Sequence, residues 1–247
     1  MLVSIITPTY NSSGFLRETF ESIINQSYTN WELIVTDDCS SDNTWQLLKE
    51  FAEKDSRISV FRLNNNLGPG YARNHSIAKA KGKYLAFCDS DDLWNVNKLE
   101  KQISFMSMNN LLLTYSDYDE ISESSGLIRS VISPSNLTYK RMINNDYVGF
   151  LTLIYNCEKI GKIFMPEMRR RQDYAYKLIL FKHVKVASKT PGNLAQYRVR
   201  RNSISSNKFK LLKYNYKIYS DIEGFNTFKA TYFMIRFIIF YFLKKIK

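Results

Sequence analysis

The sequence predicts an α/β fold of the Rossmann-like kind, a mainly parallel sheet flanked by helices. Short apolar, β-branched runs alternate with helical stretches in the order β-α-β-α-β-α-β over the first part of the chain. The run Tyr84 to Cys88 is apolar throughout, as a strand covered on both faces requires. Crossovers of this kind are right-handed and bring the carboxyl ends of the strands to one edge, where ligands of such sheets bind.

The first strand is Leu2 to Thr7, closed by Pro8, and Ser12 or Ser13 is expected to cap a helix from about Gly14 to Gln26. Trp31 to Thr36 follows as the second strand, ending in Asp37-Asp38, and Asp42 is placed to cap a helix reaching Lys54. Ile58 to Leu63 is the third strand. The turn-rich Asn64 to Gly70 leads into a helix over Tyr71 to Ala80, and Tyr84 to Cys88 is the fourth strand. Beyond it the pattern predicts a helix from Trp94 to Met108, a strand from Leu111 to Ser116, and a hairpin pairing Asp117–Ile121 with Ile128–Ile132. A helix over Asp173 to Phe181 and a short strand over Val184 to Ala187 complete the series. Residues 1–205 are expected to form one unit, with a nucleotide-binding half over 1–116 and a smaller acceptor half over 117–205. Residues 206–247 form a basic, aromatic helical tail.

The chain of 247 residues carries a formal charge of +12, but the charge is unevenly placed. From Arg198 onward twelve Lys or Arg stand against Asp221 and Glu223, so this stretch alone carries +10. A balanced body with a basic tail argues against a nucleic-acid groove along the protein and for an anionic surface met at one end. Three cysteines, Cys39, Cys88 and Cys157, suggest neither a disulfide framework nor a zinc cluster, which fits a reducing cytoplasm. No secretory signal is visible at the start.

Four polar loops are expected on the same sheet edge: Pro8 to Asn11, Asp37 to Asp42, Asn64 to Arg73, and Asp89 to Asp92. In the last, Asp89, Asp91 and Asp92 follow a hydrophobic strand and repel one another. A divalent cation absorbs such charge, and oxygen ligands at i and i+2 suit Mg or Mn bound together with a phosphate-bearing substrate. The bland alternative is a solvated acidic turn that caps the next helix. No Gly-x-Gly-x-x-Gly or Walker loop is present, and with only His75 and His183, both read as structural, hydrolase triads are poorly supported. Carboxylate, metal and nucleotide chemistry remains. A nucleotidyltransferase or a non-catalytic basic protein binding membrane or nucleic acid are the rival classes.

Pro8-Thr9-Tyr10-Asn11, Glu32 to Asp42, Gly70-Tyr71-Ala72-Arg73-Asn74 and Asp89-Ser90-Asp91-Asp92 together resemble the successive signatures of family 2 glycosyltransferases of the GT-A fold. Arg171-Gln172-Asp173-Tyr174 is similar to the family's acceptor-site motif, and Tyr197 to Ser205 to its closing motif. The resemblance implies an inverting transfer of a hexose from a nucleotide diphosphate sugar, UDP-galactose or UDP-glucose favoured, to a hydroxyl of a lipid diphosphate-linked saccharide during surface polysaccharide assembly. It implies a donor site of Pro8, Tyr10, Asp38, Arg73, Asp89, Ser90 and Arg200. In this site Tyr10 stacks on the base, Asp38 accepts from the uracil imide, and Arg73 meets the diphosphate. Asp91, with Asp89, would hold the Mn or Mg ion, Asp92 would support it, and Asp173 would be the single catalytic base. Two positions depart from the family pattern: Gln172 replaces a commoner acidic residue, and Arg200 stands where many relatives carry histidine. Arginine pairs with phosphate but cannot ligate a cation.

Lys229 and Arg236 interrupt the apolar stretch from Phe225 to Lys247, so no span of about twenty apolar residues is available to cross a bilayer. As a helix it places Lys229, Arg236, Lys244 and Lys247 on one narrow stripe beside a broad apolar face, which suits peripheral attachment to the inner face of the cell membrane. Docking on the protein's own core, or on a second copy in a homodimer, is the alternative use of that face.

Overall fold

A computed structural model describes residues 1–200 and 208–246. β1 (Val3–Thr9), α1 (Leu16–Ile24), β2 (Trp31–Asp37), α2 (Thr44–Lys54), β3 (Ile58–Arg62), α3 (Pro69–Lys79) and β4 (Tyr84–Phe87) follow in the predicted order. Then come β5 (Leu93–Trp94), α4 (Lys98–Met108), β6 (Leu113–Ile121), β7 (Leu127–Val131), β8 (Asn136–Leu137), α5 (Tyr139–Met142), a 3-10 turn (Phe150–Thr152), β9 (Ile154–Asn156) and α6 (Cys157–Ile160). The remaining elements are α7 (Gln172–Lys182), β10 (Ala187–Arg198), α8 (Lys208–Lys217), a π-helical turn (Ile218–Ile222) and α9 (Thr227–Ile246).

One mixed sheet runs through the molecule in the order β3-β2-β1-β4-β9-β6-β10-β5, with β7 added to β6 and β8 to β10. β1 to β4 are parallel, so their carboxyl ends share one edge. The antiparallel β9 then bridges β4 to β6, which runs parallel to β10. Strand alternation splits the core into two layers. Val3, Ile5, Leu33 and Val35 face α1, α2 and α4 through Leu16, Phe20, Leu48 and Leu99. Ile6, Ile34, Leu85 and Phe87 face the layer of α3, α7 and the C-terminal helices through Ile77, Tyr176, Tyr219 and Phe237.

Three local expectations are corrected. Trp94 belongs to β5, paired with Ala195 of β10, and the helix starts at Lys98 because Trp94 is drawn into the sheet. The strand expected at Val184–Ala187 is instead the twelve-residue β10, whose signal is broken by Pro191 and Gly192 where the register against β6 shifts. Neither Ser12 nor Ser13 caps α1 with its side chain. Ser12 Oγ sits between the Tyr10 carbonyl and Ser90 Oγ, at 3.2 and 2.7 Å, so it joins two strand-end loops.

α9 has two apolar rows. Ala230 and Phe237 are buried against the core, with Phe233 and Met234 packed beside them. On the other side Phe228, Tyr232, Ile235 and Ile239 are exposed, Phe228 by 90%. Among the described residues no helix is long and apolar enough to cross a membrane. The side chains of Lys244 and Lys247, expected on the basic stripe, lie outside the described part, as do Arg201 to Ser205 of the closing motif.

Candidate active site

The four polar loops lie at the ends of β1 to β4 and are laced together by hydrogen bonds that hold side chains at fixed places. The Asp38 amide donates to the Thr9 carbonyl at 2.8 Å, and the Leu63 amide to the Asp37 carbonyl at 2.9 Å. Ser40 Oγ accepts from the Asn11 amide, and Asn11 Oδ1 from the Ser41 amide, both at 2.9 Å. Asn11 and Cys39 hold left-handed backbone angles, φ 46° and 64°. Strain of this kind persists only where the surroundings over-determine it.

Asp37 is fully buried and structural: it takes both the amide and hydroxyl of Ser40 and pairs with Arg62 at 3.3 Å. The two oxygens of Asp38 each accept a loop amide, from Leu67 and Gly68 at 2.8 Å, which folds the Asn64–Gly70 loop over the end of β2. Burial pushes the Asp38 carboxyl up, the two amides pull it down, and Asp37 raises it further, for a net rise. Tyr10, in the first of these loops, is 48% exposed. Pro8, in β1, pairs with Thr36 of β2.

Phe87 ends β4 inside a cage of Phe150, Tyr155 and Tyr176 rings, with centroids at 4.5, 6.4 and 5.4 Å, and so anchors the acidic loop that follows. Phe150 also carries the guanidinium of Arg73 at 5.2 Å. From there Arg73 Nη2 donates to Asp89 Oδ1 at 2.5 Å. Ser90 is fixed by Ser12, and Asp91 Oδ2 is met by Arg200 Nη1 at 3.2 Å. Burial, reinforced by Asp89, pushes the Asp91 carboxyl up against the pull of Arg200. Burial, with Asp91 and Asp89 adding to it, pushes Asp92 well above the usual carboxylate range.

This donor set fits a divalent cation, because crowded hard oxygens that raise one another's pKa are the groups such an ion relieves. Asp91 and Asp89 would hold it. Among the described residues no three His, Cys, Asp or Glu side chains form a complete cage. One or two carboxylates completed by water and phosphate oxygens is the usual setting for Mg.

The residue that sequence reasoning missed is Arg198. It is 1% exposed. Its amide donates to Asp92 Oδ1 at 3.0 Å and its Nε to the Asp91 carbonyl at 2.9 Å. Its other nitrogens reach the Glu123 carbonyl and Ser125 Oγ at 2.9 Å and Glu18 Oε2 at 2.7 Å. Arg198 therefore clamps the acidic loop between α1 and the β6–β7 turn, and Arg200 is delivered to Asp91 by the same strand end. The only sequence signal was its place two residues before Arg200 in the closing motif.

Asp173 sits at the second position of α7, after Arg171 in a left-handed conformation of φ 61°. Its side chain is 35% exposed and stands 3.7 Å from Lys177 Nζ. Burial alone would raise its carboxyl, but Lys177, Arg171 and Arg73 outweigh burial and hold it below the usual range. Gln172 is buried, and its side chain fills the space beside Gly70, where a Cβ would lie 3.4 Å from it. The start of α3, with Arg73, thus meets the start of α7, with Asp173. His75 is structural, its Nδ1 at 3.1 Å from Thr36 Oγ1.

A polar edge at the ends of parallel strands, with an acidic loop after the fourth, on a sheet extended by antiparallel strands, is the architecture of a GT-A glycosyltransferase. The Staphylococcus aureus TarS 1-349 structure in complex with UDP-GlcNAc superposes with a TM-score of 0.75, covering 96% of this chain and 72% of that one at 22% identity. The chain belongs to glycosyl transferase family 2, whose model matches residues 4–161. TuaG of Bacillus subtilis (strain 168), whose name places it in teichuronic acid biosynthesis, is 39% identical over 237 residues, 96% of this chain and 94% of TuaG. WfgD of Escherichia coli, named a UDP-Glc:alpha-D-GlcNAc-diphosphoundecaprenol beta-1,3-glucosyltransferase, is 36% identical over 239 residues, 96% of this chain and 92% of WfgD. The family match ends before Asp173 and Arg200, whereas the likeness to these two relatives extends along nearly the whole chain.

Proposed function

We propose that the protein transfers a hexose from a UDP-sugar, with inversion, to a hydroxyl of a lipid diphosphate-linked saccharide in surface polysaccharide assembly. One observation carries the reading: the start of α3, which bears Arg73 paired with Asp89, packs against the start of α7, which bears Asp173, with the Gln172 side chain against Gly70, so the groups read as donor-binding and as catalytic base stand on adjoining helix ends. The name of WfgD supports the choice of UDP-glucose and of a diphosphoundecaprenol-linked acceptor. A β-linkage formed from the α-linked donor UDP-glucose is an inversion.

In this reading Tyr10 stacks on the uracil, Asp38 accepts from its imide, and Pro8 and Ser90 shape the pocket around the nucleoside. Asp89 reaches the ribose or the cation. Asp91 with Asp89 would hold Mn or Mg, which would supply Lewis acidity toward the departing diphosphate. Arg73 donates to the phosphates, and Arg200 exchanges Asp91 for a phosphate oxygen. Asp173 takes the proton from the acceptor hydroxyl as its oxygen bonds to the anomeric carbon. The bond from that carbon to the diphosphate oxygen breaks, and UDP leaves with the electron pair. The test offers a panel of UDP-sugars with Mn and a synthetic lipid diphosphate acceptor, followed by NMR of the product. UDP-glucose is expected to be used and the anomeric configuration inverted; a retained configuration would refute the single-base mechanism.

The exposed row Phe228, Tyr232, Ile235 and Ile239, beside Lys229 and Arg236, supports attachment of α9 to an anionic membrane, the inner face of the cell membrane being where a lipid-linked acceptor is presented. The opposite row is packed on the core, so removing the whole tail would uncover apolar surface, and point changes make the cleaner test. Phe228→Glu/Ile235→Glu is expected to weaken flotation with phosphatidylglycerol vesicles by about tenfold or more. Unchanged flotation sinks membrane attachment through this row. Loss of a dimer in sedimentation, with no flotation by either chain, makes the row a homodimer face instead.

A further inference from the structure

A pocket of about 440 Å³ opens beside the first turn of α7, lined by Arg169, Arg170, Lys213, Tyr214 and Lys217. The two arginines come from the chain leading into α7, and the other three residues from one face of α8, spaced i, i+1 and i+4. Among the described residues, four cations and one aromatic ring line it. Like charges gathered in a concavity raise the potential for an anion there. The walls are tied together next to the candidate base. Arg171 Nε donates at 2.8 Å to Oδ1 of Asn215, which lies between Lys213 and Lys217 on α8. Arg171 also lies over the rings of Tyr174 and Phe237, at 4.7 and 5.6 Å, which links the pocket to α7 and α9.

We infer that this pocket binds the diphosphate that joins the acceptor sugar to its lipid, an assignment that rests on the transfer reading above. The donor's diphosphate has its own partners in Arg73, Arg200 and the acidic loop, so these four cations serve a second anion. A diphosphate diester carries two negative charges and several acceptor oxygens, which match the forked donors of Arg169 and Arg170 and the point charges of Lys213 and Lys217. Tyr214 offers a flat face to the neighbouring sugar or linker. With its phosphates held here, the sugar lies near the start of α7, where Asp173 stands two residues past Arg171. The lipid is left beside α8 and α9, the helices that lead to the exposed apolar row.

The test compares two water-soluble acceptors, without a bilayer: GlcNAc α-diphosphate bearing a short alkyl chain, and the same sugar as a simple alkyl α-glycoside. The unaltered chain is expected to prefer the diphosphate in kcat/KM by on the order of 10²-fold, less at high salt. Arg169→Ala/Lys213→Ala/Lys217→Ala, all at exposed positions, should bring the preference below about fivefold. Because the ratio is taken within each protein, a loss of folded material cancels. A preference that survives in the variant overturns the inference, as does an unaltered chain that transfers to both acceptors equally well. A variant that keeps the preference but no longer binds phosphatidylglycerol vesicles assigns the pocket to lipid headgroups and also overturns it. No transfer to either acceptor by the unaltered chain removes the transfer reading and this inference with it.

Discussion

Replacing Asp173 by Asn is expected to lower kcat for sugar transfer by roughly 10² to 10⁴-fold, the usual contribution of a positioned general base, with donor KM little changed. Asn keeps the size of the side chain, so the half-buried second position of α7 accommodates it. Lys177 loses its partner at 3.7 Å but keeps Asp146 Oδ1 and the Val148 carbonyl, both at 2.7 Å, so no buried ammonium is stranded. The pH dependence follows from the direction of the shift. Burial opposes ionisation, but Lys177, Arg171 and Arg73 hold the carboxyl below its ordinary range, so Asp173 is ionised and ready to accept a proton throughout the neutral region. The acid limb of kcat in the unaltered enzyme should therefore fall below the ordinary aspartate range. A depressed folded-state pKa also contributes stability that is present above the unfolded value and lost as pH falls through the folded one. The Asn variant should accordingly melt slightly earlier at neutral pH and converge with the unaltered chain in acid. Single-turnover kinetics with saturating donor checks the catalytic claim; an Asn variant that keeps more than about a tenth of kcat excludes Asp173 as the base.

Asp91→Asn is expected to reduce kcat/KM by on the order of 10² to 10³-fold, the equivalent of the several kcal/mol a Lewis acid contributes in such a site. Donor binding separates this from a general loss of structure. In the unaltered chain, calorimetry with UDP should show tighter binding with Mn than with EDTA. In the variant the two affinities should coincide. The change also removes the partner of Arg200 at 3.2 Å, but both side chains are partly exposed and such pairs contribute only about 0–1 kcal/mol, too little for the predicted loss. A variant whose UDP affinity still falls on adding EDTA would place the cation on other ligands.

The loops at the ends of β1 to β4 were the legible part, because each loop residue is aimed by the strand directly before it. Tyr10, Asp38 and Asp89 follow β1, β2 and β4 within a few residues, and parallel strands joined by right-handed crossovers must bring their carboxyl ends together. The part of the sheet beyond β4 was less legible for an equally physical reason. β9 is three residues long and pairs antiparallel with β4 and β6 across wide separations, so no local period marks it. Ser12 looked like a cap because its local pattern is that of a cap, yet a partner 78 positions away, Ser90, claimed its hydroxyl.

By itself the sequence determined the alternation of strands and helices, the polar edge with its three carboxylates, and the basic character of the tail, all properties written in neighbours along the chain. Only the tertiary structure decided that Arg198 grips the acidic loop and also Glu18, 180 positions away, and that the start of α3, with Arg73, packs against the start of α7, with Asp173. It also decided that the cations of residues 169–170 and α8 share one pocket, and that α9 buries one apolar row while leaving another exposed. Such choices depend on which buried polar groups and apolar faces find partners once the layers pack, and that is set by burial and distance in space.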